Sequence, residues 1–155
     1  MMKFLDIVRM FILELLIGLI LYYFLINNLK IVEFIASILF MPKMTWLEYV
    51  KIFGLPVTIL TLNYNFGDEI LNPSDKEIRY KLKKFPLYWK LKNRVWYSII
   101  ISCLIIVGTI FCWYYAVTTN DIVYSTMMIL ILWGISLTTF LSMAIAKLSL
   151  KDILY

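Results

Sequence analysis

Two long uncharged stretches dominate the C-terminal half of the chain. Twenty-six residues without a charge separate Arg94 from Asp121, and another 25 separate Asp121 from Lys147. Each stretch exceeds the ~20 residues that an α-helix needs to cross the hydrocarbon core of a bilayer. We therefore predict an antiparallel transmembrane hairpin over residues 95–146, with a short connector over residues 116–121. A hairpin of strands is disfavoured because an open sheet in lipid leaves the backbone groups at its edges without partners.

Residues 1–67 contain three apolar runs of unequal length. The runs near residues 10–26 and 46–64 have the length of a span, whereas the run over residues 31–41 is too short to cross. Two interpretations are open: both longer runs cross, which gives four transmembrane helices, or one of them lies along the interface, which gives three. We expect four crossings, with residues 31–41 lying on the surface or re-entering the membrane. Pro56 falls inside the second long run, where proline kinks a helix.

Residues 68–94 form the one substantial polar segment of the sequence. Ser74 and Glu77 have the spacing of a capping box, in which the serine oxygen caps a helix and the glutamate bonds back. The helix that follows should end before Pro86. Its apolar stripe is predicted to consist of Ile78, Leu82 and Phe85.

The basic residues are concentrated in this polar segment. From Lys76 to Arg94 there are eight Lys or Arg and one Glu, whereas the connector over residues 116–121 has no Lys or Arg. Short loops rich in Lys and Arg remain in the cytoplasm. We therefore predict that residues 68–94 and the tail over residues 147–155 are cytoplasmic. With four crossings, the N-terminus lies on the same side.

The composition agrees with a membrane protein and excludes several kinds of chemistry. Of the 155 residues 63% are hydrophobic, against about 45–50% in an ordinary soluble domain, so we predict an all-α integral membrane protein. The chain has no histidine, which excludes imidazole acid–base chemistry, histidine metal sites and Ser–His triads within it. We expect no catalysis, no metal and no cofactor. Cys103 and Cys112 lie on roughly opposite helix faces, so we expect buried free thiols.

Basic and aromatic side chains alternate over residues 79–94. The plain interpretation is a topology signal with attraction to anionic lipid headgroups, worth ~1 kcal/mol per Lys or Arg. The sharper interpretation is a binding site for an anionic ligand, because cations neutralise phosphates and aromatic rings stack on bases. The candidate ligand-binding residues are Arg79, Tyr80, Lys81, Lys83, Lys84, Tyr88, Trp89, Lys90, Lys92 and Arg94.

Two features of the apolar runs are also candidates for function. Small residues recur every four positions in the last predicted span, at Gly134, Thr138, Ser142 and Ala146. Helices in lipid approach closely at such residues, so this stripe packs within the chain, joins copies of it or lines a pore. Glu14 is ionisable inside an apolar run, which is a functional hypothesis by default. Alternatively, Glu14 lies near the interface.

Glu14, a glutamate in the first of four predicted helices, resembles the carboxylate of the small multidrug-resistance transporters, which binds protons and cations. The surrounding run Ile12-Leu13-Glu14-Leu15-Leu16 does not reproduce the small-residue context of that family. The long polar segment over residues 68–94 departs from that family. In size, helical membrane body and a basic-aromatic element over residues 81–90, the chain more closely resembles small toxic membrane effectors of bacterial anti-phage defence. In particular it resembles the channel component of the Hailong type. That resemblance implies a tetrameric channel in the bacterial inner membrane that short single-stranded DNA keeps shut.

We therefore predict a homo-oligomeric channel or membrane-disrupting effector that is gated at its cytoplasmic side. The ligand would be single-stranded nucleic acid or a nucleotide, and the other partners would be lipid and further copies of the chain. Several copies are needed because a chain with so few helices encloses no aqueous path alone. The alternatives are a proton-coupled transporter that uses Glu14 and a non-catalytic membrane scaffold subunit.

Overall fold

The computed structural model describes residues 4–40 and 46–154, with side chains placed over residues 8–40 and 49–148. Within these ranges the chain is helical and contains no strand, which confirms the all-α fold class. The helices are α1 (Phe4–Ile26), α2 (Leu29–Leu39), α3 (Trp46–Leu71), α4 (Lys76–Lys84), α5 (Tyr88–Thr119) and α6 (Ile122–Leu154).

Three of these helices are long and apolar enough to cross a membrane. The qualifying stretches are Val8–Ile26 in α1, Tyr88–Thr119 in α5 and Ile122–Leu148 in α6. Helix α5 begins at Tyr88, so the last basic residues of the polar segment belong to the same helix as the first span of the hairpin. Helix α6 likewise continues past the predicted span, to Leu154.

The turn between α5 and α6 is shorter than the predicted connector over residues 116–121. Helix α5 continues to Thr119, and the chain reverses at Asn120 and Asp121 alone. Asn120 has a left-handed φ of 60°, and its N–H donates to the Ala116 carbonyl. Asparagine tolerates this conformation better than most residues because its short polar side chain bonds locally. A two-residue reversal therefore suffices to place α6 antiparallel to α5.

Helix α3 runs antiparallel to α5 along most of its length. Gly67 packs against Val95, Asn63 donates to Ser102, and the Phe53 ring lies 6.4 Å from the Trp113 ring. Val95 and Trp113 are 18 residues apart, about 27 Å of helix rise, which is close to the thickness of a hydrocarbon core. Helix α3 is less apolar than the three qualifying helices, but it extends along the whole apolar part of α5 from Val95 to Trp113.

The first two helices pack against the outside of the α5–α6 hairpin. Helix α1 runs antiparallel to α6, so that Gly134 contacts Leu21 and Leu25 clusters with Met127. Helix α2 lies at the same end as Asn120, where Val32 joins the Leu25 cluster. This helix corresponds to the short segment predicted over residues 31–41, of which Met41 lies outside the described residues.

The short basic helix α4 begins one residue later than the capping-box prediction requires. Asp75, and not Ser74, is the N-cap: its carboxylate accepts from the N–H groups of Glu77 and Ile78 at 2.7 and 3.4 Å. Aspartate caps as well as serine, and its charge also favours the positive end of the helix dipole. Helix α4 ends at Lys84, before Pro86 as predicted, and Ile78 and Leu82 of the predicted stripe are buried. Phe85 is instead the C-cap residue and is half-buried, because the helix ends one residue before it. The Glu77 carboxylate pairs with Lys81 and not with the start of the helix.

Large apolar side chains cover much of the outer surface of the bundle. Phe11 and Ile20 on α1 and Phe111 on α5 are 53, 66 and 68% exposed. Cys103 is also exposed, whereas Cys112 is half-buried, and both are free thiols. Burial of Cys103 was therefore a wrong expectation. A thiol is stabilised by apolar surroundings, and in a membrane protein the lipid-facing surface supplies them as well as the core does.

Close packing at Gly67 gives a test of the α3–α5 contact. A Cβ at Gly67 would lie 2.5 Å from Val95 Cγ1, and a β-branched side chain in a helix has little rotamer freedom to yield. We expect Gly67→Ala to lower the stability of the detergent-solubilised protein by roughly 1–3 kcal/mol, as overpacking does, with a lower thermal unfolding midpoint by circular dichroism.

Two further variants distinguish overpacking from a loss of glycine flexibility. A Cβ at Gly54 would meet only Val50 Cγ1 of the same helix, at an ordinary 3.7 Å, so Gly54→Ala should leave the midpoint unchanged or raise it. The double variant Gly67→Ala/Val95→Ala should recover part of the loss. Equal midpoints for Gly54→Ala and Gly67→Ala would contradict the α3–α5 packing described above.

Candidate functional site

A cavity of 440 Å³ lies between α1, α5 and α6 at the end of the bundle that carries α4. Helix α1 packs along α6 but makes few contacts with α5, so a gap remains between α1 and α5 at this end. Of the described residues, three with basic side chains, one with a carboxyl group and several with hydroxyl groups line the cavity. The lining residues are Arg9, Met10, Leu13, Glu14, Ile17, Lys90, Arg94, Tyr97, Ser98, Thr138, Thr139 and Ser142.

Arg94 is held in this cavity by α6. Its Nε and Nη2 groups donate to the Ser142 hydroxyl oxygen at 3.1 and 2.8 Å. A guanidinium group has five N–H donors, so three remain available. Among the described residues no carboxylate forms an ion pair with Arg94 or Lys90. The ion pairs found in the described part of the chain are Lys81–Glu77 and Lys147–Glu69, and both lie outside the cavity. The cavity therefore presents positive charge that the described part of the chain does not neutralise.

Within the part of the chain whose side chains are described, Glu14 is the one acidic residue that lines the cavity. It is half-buried, and its Oε2 atom accepts a hydrogen bond from the Tyr97 hydroxyl at 2.7 Å. This bond joins α1 to α5 across the gap between them. Glu14 thus has a specific partner between helices, as expected for an ionisable group in an apolar run.

The predicted ligand residues on α4 are not among the residues that line the cavity. Lys81 pairs with Glu77 at 2.8 Å, and the hydrogen bond to that carboxylate raises the pKa of Lys81. The Lys84 ammonium lies 4.2 Å from the centre of the Tyr80 ring. Arg79 is half-buried and donates twice to the Pro73 carbonyl, so it holds the turn before α4. Lys83 is exposed.

The rest of the predicted set lies on α5, and only part of it reaches the cavity. Lys90 and Arg94 line the cavity, and the Lys90 ammonium lies 5.7 Å from the centre of the Trp89 ring. Tyr88 and Trp89 are half-buried, and Lys92 is exposed. Arg9 was not among the predicted ligand residues. In the sequence, Arg9 is distinguished only as a charged residue directly before the first apolar run, on the predicted cytoplasmic side.

The stripe of small residues on α6 faces the interior of the single chain. Gly134 packs against Leu21 of α1, and Ser142 accepts from Arg94 of α5. Thr138 lines the cavity, and Ala146 is buried. Internal packing thus accounts for the contacts of this stripe within one chain. Its role as an oligomer or pore face stays a prediction.

A layer of buried polar side chains continues from the cavity into the bundle. Ser98 lines the cavity, and its carbonyl accepts from Ser102, whose hydroxyl oxygen in turn accepts from the Asn63 amide at 3.0 Å. The Asn63 Oδ1 and Ser136 Oγ atoms are buried, and neither has a hydrogen-bond partner among the described residues. Sequence reasoning missed this layer, because Asn63 and Ser102 are 39 positions apart and neither belongs to a motif.

Chemically, the site is suited to holding an anion. Within the described residues no group of three or more potential metal-binding side chains occurs. Comparisons with family models, with curated proteins and with solved structures find no match to this chain.

The Glu14–Tyr97 contact gives a test of the site geometry. Tyr97→Phe removes the hydroxyl and leaves a half-buried carboxyl group without its partner, so we expect the unfolding free energy in detergent to fall by about 1–3 kcal/mol. Glu14→Leu combined with Tyr97→Phe should cost less than the sum of the single changes, because each single change removes the same hydrogen bond. Tyr22→Phe, at an exposed position on α1, is the control. Strict additivity of the two substitutions would rule out this hydrogen bond.

Proposed function

We propose that this protein is a multi-pass membrane effector that binds a phosphate-bearing anion in the cavity around Arg94 and, as a homo-oligomer, forms an ion channel. The observation that carries the proposal is the juxtaposition of Arg9, Lys90 and Arg94 around one cavity between α1, α5 and α6. Arginine and lysine bind phosphate oxygens with charge-assisted hydrogen bonds.

The arrangement of the helices supports four crossings with the cavity at the cytoplasmic face. Helices α1, α5 and α6 qualify as spans, and α3 covers the same depth as α5. The N-terminal end of α1, helix α4 and the C-terminal end of α6 then share one side. That side carries the eight basic residues between Lys76 and Arg94, which favours the cytoplasm.

A bound anion would act as a bridge between helices that otherwise contact each other little. Arg9 belongs to α1, whereas Lys90 and Arg94 belong to α5, so one phosphate group between them would draw α1 towards α5. A ligand shifts a conformational equilibrium only by its difference in affinity for the two states. We propose that the bridged arrangement is the closed channel, in keeping with the ligand-shut channels that the chain resembles.

Conduction would take place between copies of the chain. A single chain has too few helices to enclose an aqueous path, so such a path requires several copies around an axis. The buried polar layer around Asn63, Ser102 and Ser136 supplies groups with unused hydrogen-bonding capacity inside the bundle.

The channel proposal is tested by the membrane potential of bacteria that express the protein. Removing the cations that hold the anion should favour the open state, so we expect Lys90→Gln/Arg94→Gln to depolarise the cells at an expression level at which the wild type does not. The readout is a potential-sensitive dye. Lys83→Gln/Lys84→Gln is the matched control, because it removes the same charge from the outer face of α4.

Two results would count against the proposal. Unchanged potential with the wild type and both double variants, at equal amounts in the membrane, would contradict a channel. Equal depolarisation by both double variants would contradict the proposal that the cavity controls channel opening. It would indicate that opening depends on the total positive charge of the basic segment.

A second candidate function is proton-coupled transport, and the contact between Glu14 and Tyr97 favours it. A carboxyl group in a half-enclosed cavity, with one hydroxyl partner, can bind and release a proton as a substrate enters and leaves. In this mechanism Arg94 and Lys90 would select the substrate, and Glu14 would carry the proton.

Substitution at Glu14 separates transport from channel activity. Glu14→Gln keeps the size and hydrogen-bonding capacity of the side chain but removes its titration. We expect it to abolish proton movement driven by substrate in proteoliposomes, read from an internal pH dye, if the chain is a transporter. If it is the proposed channel, Glu14→Gln should leave the expression-dependent membrane potential as in the wild type. Proton flux that persists in Glu14→Gln would eliminate the transporter.

A further inference from the structure

We propose that the anion held in the cavity is the headgroup phosphate of an anionic phospholipid, whose acyl chain lies in an apolar groove between α1 and α5. This inference rests on the anion site of the proposed function and names its ligand class. The inference is based on the position of a polar cavity next to an apolar groove. This order along the helices matches a phospholipid, in which a charged headgroup is followed by an apolar acyl chain.

The groove has a volume of 290 Å³ and is lined almost entirely by apolar side chains. Phe11 and Leu15 form its wall on α1, and Leu104 and Ile105 form the wall on α5. It shares Glu14 with the cavity, so the two spaces adjoin at one residue. The groove exists because α1 packs on α6 and makes few contacts with α5.

The cavity and the groove are aligned along the helices. On α5 the cavity is lined by Arg94 and Tyr97, and the groove by Ile101 and Leu104 farther along the same helix. Arg94 and Leu104 are ten residues apart, which corresponds to about 15 Å of helix rise, or half of a hydrocarbon core. A lipid in the leaflet next to the basic face has the same order, with its phosphate at the interface and its chain directed towards the midplane.

The charge of the cavity selects among lipids. Among the described residues that line the cavity, Arg9, Lys90 and Arg94 face a single carboxyl group, that of Glu14, which already accepts a hydrogen bond from Tyr97. A net positive cavity favours a lipid with a net negative headgroup over a zwitterionic one, because the latter brings its own cation. Basic pockets between transmembrane helices on the cytoplasmic side are a recurrent site for anionic headgroups.

A water-soluble anion has no apolar chain and would therefore not contact the groove. A nucleotide or inorganic phosphate could occupy the cavity, but the groove would then be covered by unselected lipid, and substitutions in it would not change affinity. The groove therefore distinguishes a phospholipid from a soluble phosphate compound, although both offer the same phosphate chemistry to Arg94.

Native mass spectrometry of the full chain in detergent tests the inference with three probes: phosphatidylglycerol, phosphatidylcholine and ATP. We expect phosphatidylglycerol to bind at least about ten-fold more tightly than phosphatidylcholine, and Lys90→Gln/Arg94→Gln to reduce that affinity by about ten-fold or more. Leu104→Trp, which fills the groove, should weaken phosphatidylglycerol binding by a similar factor.

Matched controls exclude general effects of charge and of bulk. Lys83→Gln/Lys84→Gln removes two exposed charges from α4. Ile110→Trp adds the same bulk as Leu104→Trp, at an exposed position of α5 outside the groove. Both should leave lipid affinity unchanged. Gel filtration would reveal whether Lys90→Gln/Arg94→Gln fails to fold. In that case Arg94→Lys replaces it, because this variant keeps the positive charge and should retain selectivity for phosphatidylglycerol.

The outcomes separate this inference from the proposed function. Equal binding of the two lipids, or no effect of Leu104→Trp, would overturn the phospholipid. Binding of ATP that depends on Arg94 and not on Leu104 would overturn the phospholipid and leave the anion site intact. If no probe binds in a manner that depends on Lys90 and Arg94, the anion site and the inference built on it both fail.

Discussion

Polar side chains inside a lipid-embedded helical bundle are stabilised by other protein groups, because the hydrocarbon around them offers no hydrogen bonds. The contacts of Glu14 with Tyr97 and of Arg94 with Ser142 satisfy this requirement, and each links two helices. Tyr97 and Arg94 lie one turn apart on α5, so α1 and α6 are attached at nearly the same level of that helix. The cavity is the space that these contacts leave between the three helices.

Close approach of helices at small residues determines the rest of the packing. Without a hydrophobic driving force between helices in lipid, association depends on shape, and glycine allows the nearest approach. Gly134 admits Leu21 of α1 to the surface of α6, and Gly67 admits Val95 of α5 to the surface of α3. Helix α1 therefore lies against α6 instead of α5. The gap that results on the α5 side contains both the polar cavity and the apolar groove.

The basic segment consequently has two different roles. Its first part forms α4, whose lysines are exposed or paired with their own neighbours, as with Lys81 and Glu77. Exposed or locally paired lysines of this kind are typical of a topology signal and form no binding site of defined geometry. Its second part is the first turns of α5, where Lys90 and Arg94 share a cavity with Arg9 of another helix. A site with defined geometry arises only in this second part.

The sequence by itself determined the fold class and the positions of the most apolar helices. Uncharged stretches of 26 and 25 residues allow little else in a bilayer, because any other backbone arrangement leaves polar groups unsatisfied. Helix α4, except for its cap, and the short α2 were also predictable, since turn residues and apolar spacing are local signals. The tertiary structure decided which polar and charged side chains lie next to each other. Arg9 and Glu14 lie about 80 positions from Lys90 and Tyr97, and Asn63 lies 39 from Ser102, so only the packing of α1 and α3 on the hairpin brings them together.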